Sequence, residues 1–173
     1  MNKTQSGFTL VELVVVILIL GILSATALPR FMNVSTQANE AAVAGAGGGL
    51  GAGVALVHAQ WIANNLTGAQ ATVANFGASN VAVNAQGWPT TTAGAVSALD
   101  LEAECVLVWN GIMQNPPSVD TATNANANVD YWVTVAAGAN ATDQKCTYTY
   151  QNATTMNITY DSFDGSIVVD STI

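Results

Sequence analysis

Residues Phe8 to Leu28 read FTLVELVVVILILGILSATAL, one apolar run broken by a single carboxylate, Glu12. A helix rises about 1.5 Å per residue, so about 20 apolar residues cross a bilayer. The run is therefore long enough to span. A short polar leader, Met1 to Gly7, precedes it, and Lys3 is its only charge. A lone cation on that side holds the leader in the cytoplasm.

A secretory signal peptide ends its apolar region at a small-residue cleavage site, and Ser24-Ala25-Thr26-Ala27 has that composition. Two features oppose this reading: the length of the run and the presence of Glu12. A carboxylate at bilayer depth costs about 2.5–3.5 kcal/mol on insertion scales. A discarded signal gains nothing from that cost, so Glu12 reads as a working residue of the mature chain. The alternative places Glu12 near the interface, hydrated by snorkelling.

Gly7-Phe8-Thr9-Leu10-Val11-Glu12-Leu13-Val14 resembles the processing motif of type IV prepilins, and the likeness continues through Gly21 and Ala27-Leu28-Pro29-Arg30-Phe31. It covers roughly the first thirty residues, in a pattern of Gly-Phe and buried Glu that other membrane segments rarely show. The resemblance implies that a prepilin peptidase cuts between Gly7 and Phe8 and methylates the new Phe8 amine. It assigns Glu12 to assembly with identical subunits into a helical homopolymer, aided by inner-membrane assembly machinery. It implies an inner-membrane precursor and an extracellular pilus. Physical chemistry supports the pairing. Cleavage leaves a protonated amine one turn from Glu12, and charges in apolar surroundings need opposite partners. A neighbouring subunit can match Glu12 to the Phe8 amine and fix the stagger between subunits.

Gly21 and Pro29 mark the soft part of the long helix, since Gly is weakly helical and interior Pro removes a backbone hydrogen bond. A bend or break is expected there, and the resemblance implies lost helicity in filaments. Residues 31–63 continue the helix, with Phe31, Val34, Ala38, Ala41, Ala42 and Gly45 on one small-residue face. The run Gly45 to Gly53 holds six glycines in nine positions, each costing about 1 kcal/mol in a helix relative to Ala. Gly45, Gly49 and Gly53 share a face that admits close backbone approach; a local loop is the other reading. No Lys-Ser/Thr follows, so it is not a phosphate cradle.

Residues 64–173 form the expected head. Residues 64–100 read as an irregular connection, with Trp88-Pro89 extended. Leu101 to Trp109 reads as a short helix leading up to Trp109, with a strand as the other reading, and Asn115-Pro116-Pro117-Ser118 and residues 122–128 as loops. Tyr131–Val135, Cys146–Tyr150 and Met156–Tyr160 carry strand signals, and Asp164-Gly165 turns the last into Ile167–Val169. The expected fold is α+β: a long N-terminal helix on a C-terminal antiparallel sheet. Cys105-Val-Leu-Val-Trp109 and Cys146-Thr-Tyr-Thr-Tyr150 are similar to segments of MSHA-type pilins. Two cysteines beyond an export segment, Cys105 and Cys146, read as one disulfide in an oxidising compartment; two buried thiols are the alternative.

The net charge is −8, and Lys3, Arg30 and Lys145 are the only cations, too few for a nucleic-acid partner. No catalytic pair is apparent around the single His58, and no cofactor or metal is expected. Asp100, Glu102 and Glu104 read as a solvated acidic edge, or as cation ligands if extended. Asp161 to Ser166 offers oxygen ligands without EF-hand spacing. Asn33, Asn65, Asn140, Asn152 and Asn157 begin Asn-X-Ser/Thr triplets. The expected function is a structural pilus subunit for attachment and possible motility. A secretion pseudopilin is the first rival, and a membrane-tethered enzyme the second.

Overall fold

The computed structural model describes residues 8–78, 80–92, 99, 101–124, 126–137 and 144–172; for Pro29 and residues 31–33 only the backbone is described. Gly7, Asp100 and Asn140 lie outside the described residues. Two compact units result, Met1–Ala38 and Asn39–Ile173.

Helix α1 covers Leu10–Ala63. It shows no break at Gly21 or Pro29, contrary to the expectation from the sequence. Proline removes one N–H and leaves one carbonyl free, but neighbouring turns keep their bonds, and apolar helices tolerate this. Thr26 also returns its hydroxyl to the Leu23 carbonyl at 3.0 Å within the same turns. In the first unit, Leu10–Leu28 buries none of its side chains within the chain.

The second unit is a two-layer α+β head. Beyond α1 it contains β1 (Ala82–Val83), β2 (Pro89–Thr91), α2 (Glu102–Ile112), β3 (Val119–Thr121), β4 (Tyr131–Ala137), β5 (Gln144–Tyr150), β6 (Asn157–Asp161) and β7 (Ile167–Asp170). The sheet runs β3-β4-β5-β6-β7. Its β4-to-β7 pairs are antiparallel, as the alternating strands and the Asp164-Gly165 turn predict. Gly165 adopts φ 74°, which that turn requires and glycine supplies without strain.

Edge strand β3 was not legible in the sequence, and it pairs parallel to β4. Three residues carry no periodic signal. Side chains hold it instead: Asp130 accepts from Ser118 N at 2.9 Å and Ser118 Oγ at 2.6 Å, while Ser118 Oγ accepts from Asp130 N. The described part of the stretch 64–100 is also more ordered than expected, because β1 pairs with β2. Val81, Ala82 and Val83 are fully buried, so both sides of β1 face protein and no alternation marks it. Asn84 anchors this hairpin, accepting from Gln86 N and Trp88 N through Oδ1 and donating to the Ser162 carbonyl through Nδ2.

Within the head, α1 presents Val43, Ala46, Leu50, Val54 and Val57 to the core. The face anticipated from Ala41, Ala42 and Gly45 is solvent-exposed instead. Where nearly every residue is small and apolar, the few larger side chains choose the buried face, since burial energy scales with apolar area. The glycine run is helical and closely packed, on two sides. Gly49 and Gly53 face α2, where a Cβ on Gly53 would lie 2.8 Å from the Ile112 carbonyl oxygen. Gly47 lies against Val169 and Gly51 against Ile167, both on β7. Gly45 and Gly48 meet nothing within 4 Å.

Cys105 of α2 and Cys146 of β5 form a disulfide with Cα atoms 5.8 Å apart. Strand β4 lies inside the loop it closes and pairs with β5, Val135 opposite Cys146. Trp109 packs against Tyr131 and Tyr148 at centroid distances of 5.1 and 4.5 Å.

Candidate functional site at the amino-terminal end of α1

Thr9 immediately precedes the first helical residue, Leu10. Thr-x-x-Glu is the sequence form of a capping box, in which hydroxyl and carboxylate each satisfy an otherwise free backbone N–H. The geometry here follows that form. Thr9 Oγ1 accepts from Glu12 N at 3.2 Å, and Glu12 Oε2 accepts from Thr9 N at 3.2 Å. Thr9 Oγ1 also donates to Glu12 Oε2 at 3.1 Å. The Glu12 carboxylate therefore points toward the helix N-terminus, where the partial positive charge of the macrodipole favours it.

Within the single chain, Thr9 therefore already partners the Glu12 carboxylate. The signal for this cap is Thr9-Leu10-Val11-Glu12 itself, overlapped by the apolar run. Phe8, the expected methylated terminus, lies next to this box and is 88% exposed. Gly21 leaves a shallow apolar notch among Val14, Ile17, Leu18 and Ile22, open to a neighbouring surface. Glu12 and Gly21 thus lie on one exposed apolar helix with Phe8 just before its start, whereas Cys105 and Cys146 are fully buried in the head.

Among the described residues, the head presents no comparable centre. His58 stacks on Trp88 with centroids 3.9 Å apart and on Trp61 at 5.6 Å, and its Nδ1 lies 3.2 Å from the Gly87 carbonyl oxygen. These contacts are aromatic packing. Glu102 and Glu104 sit on helix α2, not on an extended strand, so their alternation does not create a shared face. Glu102 Oε2 accepts from Thr123 N at 3.2 Å and Thr123 Oγ1 at 2.8 Å, tying a loop to α2. Asp161 pairs with Lys145 at 2.9 Å and Asp164 accepts from Ser166 N at 2.9 Å. Among the described residues, no group of three His, Cys, Asp or Glu side chains is arranged to hold a metal ion.

Residues 2–28 match the family model of the prokaryotic N-terminal methylation motif. Over 154 residues the chain is 31% identical to the fimbrial protein of Neisseria meningitidis serogroup B, a match covering 81% of this chain and 88% of that protein. It is 31% identical over 136 residues to the fimbrial protein of Neisseria meningitidis serogroup A, covering 75% of this chain and 61% of the relative. It is 60% identical over 37 residues to the major component of the type IV narrow pilus of Thermus thermophilus, covering 21% of this chain and 32% of the relative. No solved structure matches the chain. The methylation motif, the capped apolar helix, the α+β head and a relative matched across most of its length agree: the chain belongs to the type IV pilin family.

Proposed function

We propose that this chain is the structural, non-enzymatic subunit of an MSHA-like type IV pilus that serves surface attachment and supports motility. The observation that carries this reading is the Thr9–Glu12 box at the start of a helix whose first nineteen residues bury no side chain. A helix apolar all round needs a membrane or other helices around it. Before assembly, the inner membrane fills that role; in the filament, the same segment of identical subunits does. Prepilin peptidase cleaves between Gly7 and Phe8 and methylates Phe8. Glu12 then exchanges its Thr9 contacts for the Phe8 amine of a neighbour, which fixes register. Gly21 and Pro29 are the positions where the helix yields when packed. The inner-membrane assembly machinery extracts the subunit, and the head faces the outside, where the Cys105–Cys146 disulfide persists.

The test is purification of surface fibres followed by intact mass. Subunits starting at N-methyl-Phe8 are expected, and a chain starting after Ala27 would contradict the reading. Deleting the gene should abolish surface fibres and leave enzyme export intact. The reverse phenotype would identify a secretion pseudopilin.

A further inference from the structure

Of the six Asn-X-Ser/Thr triplets in the sequence, the one at Asn2 lies in the leader, outside the described residues, and those within the described residues separate by structure. The backbone of Asn33 lies within α1, and Asn140 is outside the described residues. Asn157 sits in β6, paired to Thr149 on one side and Asp170 on the other, with Ile158 fully buried between it and Thr159. That triplet cannot leave the sheet. Asn152 is exposed but commits its amide to the Tyr150 hydroxyl at 3.1 Å. Asn65 differs from the other three described sites, Asn33, Asn152 and Asn157. It lies two residues beyond the last residue of α1 and is exposed, at φ 53°.

Its backbone is held firmly. Asn65 N donates to the Ile62 carbonyl at 2.9 Å and Leu66 N to the Trp61 carbonyl at 3.2 Å. These paired bonds form a Schellman C-cap with Asn65 as the left-handed residue. The cap accounts for an Asn at this position, but not for a hydroxyl two residues on. Thr67 is exposed too. Among the described residues, neither the Asn65 amide nor the Thr67 hydroxyl has a hydrogen-bond partner. The triplet Asn65-Leu66-Thr67 thus presents both groups that N-linked transfer recognises, on a rigid exposed corner.

We propose that Asn65 is a site of N-linked glycosylation, with a lipid-pyrophosphate-linked oligosaccharide as donor and a membrane oligosaccharyltransferase as catalyst. The Asn65 Nδ2 attacks the anomeric carbon, forming a C–N bond. The C–O bond to the lipid pyrophosphate breaks, and the pyrophosphate leaves with the electron pair. One amide proton passes to a base of the transferase, and nothing is oxidised or reduced. The saccharide then lies beside α1's end, where Ile62 is 58% exposed. The transfer rests on the pilus reading in one respect, since the head must reach the outer side of the membrane.

The experiment is intact mass and peptide fragmentation of fibre-derived or membrane-derived subunits, with the cysteines alkylated before reduction. A saccharide increment on Asn65 is expected. Asn65→Gln and Thr67→Val should both abolish it, and Thr67→Ser should retain it; that hydroxyl dependence is not shared by deamidation or O-linked modification of other residues. Unmodified Asn65 in subunits whose Cys105–Cys146 bond is oxidised overturns the proposal and leaves the pilus reading standing. Unmodified Asn65 with free cysteines overturns both.

Discussion

The hydroxyl of Tyr148, in the middle of β5, donates a 2.9 Å hydrogen bond to the carbonyl of Cys105 on α2. The same two elements are joined covalently by Cys105–Cys146. Helix and sheet are therefore fixed to one another twice, at a buried point, and the two ties have different chemical sensitivities.

Tyr148→Phe should lower head stability by about 1–3 kcal/mol, because the Cys105 carbonyl loses a donor in a site that water does not reach. The bond also makes a pH prediction. Burial pushes the Tyr148 hydroxyl far above its ordinary range, and burial does the same to Tyr160, reinforced by Tyr148 and nearby carboxylates. The folded state holds these protons while the unfolded chain releases them near pH 10. Stability is therefore full below about pH 10 and falls as pH rises further. Thermal melts of full-length subunit in detergent between pH 8 and 12 should show this fall. The slope should shrink in Tyr148→Phe.

Cys105→Ser removes the covalent tie. For a sequence separation of 41 residues, the chain-entropy account gives roughly 4 kcal/mol of lost stability as an upper bound. Reductant should lower the melting temperature of the parent chain and leave the variant unchanged. Equal melting of oxidised and reduced parent would show that α2 is held by noncovalent packing alone.

Two glycines of one helix should respond oppositely to alanine. Gly53→Ala places a methyl 2.8 Å from the Ile112 carbonyl oxygen, a backbone atom that cannot rotate away. Overpacking of this kind costs about 1–3 kcal/mol, only partly offset by the gain of about 1 kcal/mol in helix propensity. Gly48 has open space around it, so Gly48→Ala should gain up to about 1 kcal/mol. Chemical denaturation of both variants tests the pair. A gain at both sites would show that α2 shifts freely.

Glu12→Val should insert in the membrane as well as the parent or better, since the insertion cost of about 2.5–3.5 kcal/mol disappears. Assembly should fail, because a Phe8 amine buried without its partner costs about 3–5 kcal/mol. Glu12→Asp should be intermediate, keeping the charge with shorter reach. Fractionation should find processed Glu12→Val in the inner membrane with few fibres. Normal fibre yield would mean that packing of Leu10, Leu13 and Val16 alone sets the register.

The sequence by itself determined the elements whose signal is periodic or chemical. The apolar run from Phe8 to Leu28, the carboxylate within it, the alternating strands from Tyr131 onward and the pair of cysteines each follow from local rules, because hydropathy and turn chemistry act over neighbouring residues. Tertiary structure decided the rest. Between Ala41 and Ala55 almost every side chain is small and apolar, so only the sheet and α2 could select Val43, Leu50 and Val54 as the buried face. Strands β1 and β3 are too short to show a period; β1 exists because its surroundings bury it from both sides, and β3 because Ser118 and Asp130 hold the ends of its loop together. The site falls on the local side of this division. The cost of Glu12 is a property of the residue and the membrane, and its tie to Thr9 spans three residues in a segment that buries no side chain within the chain, so no tertiary contact decides it.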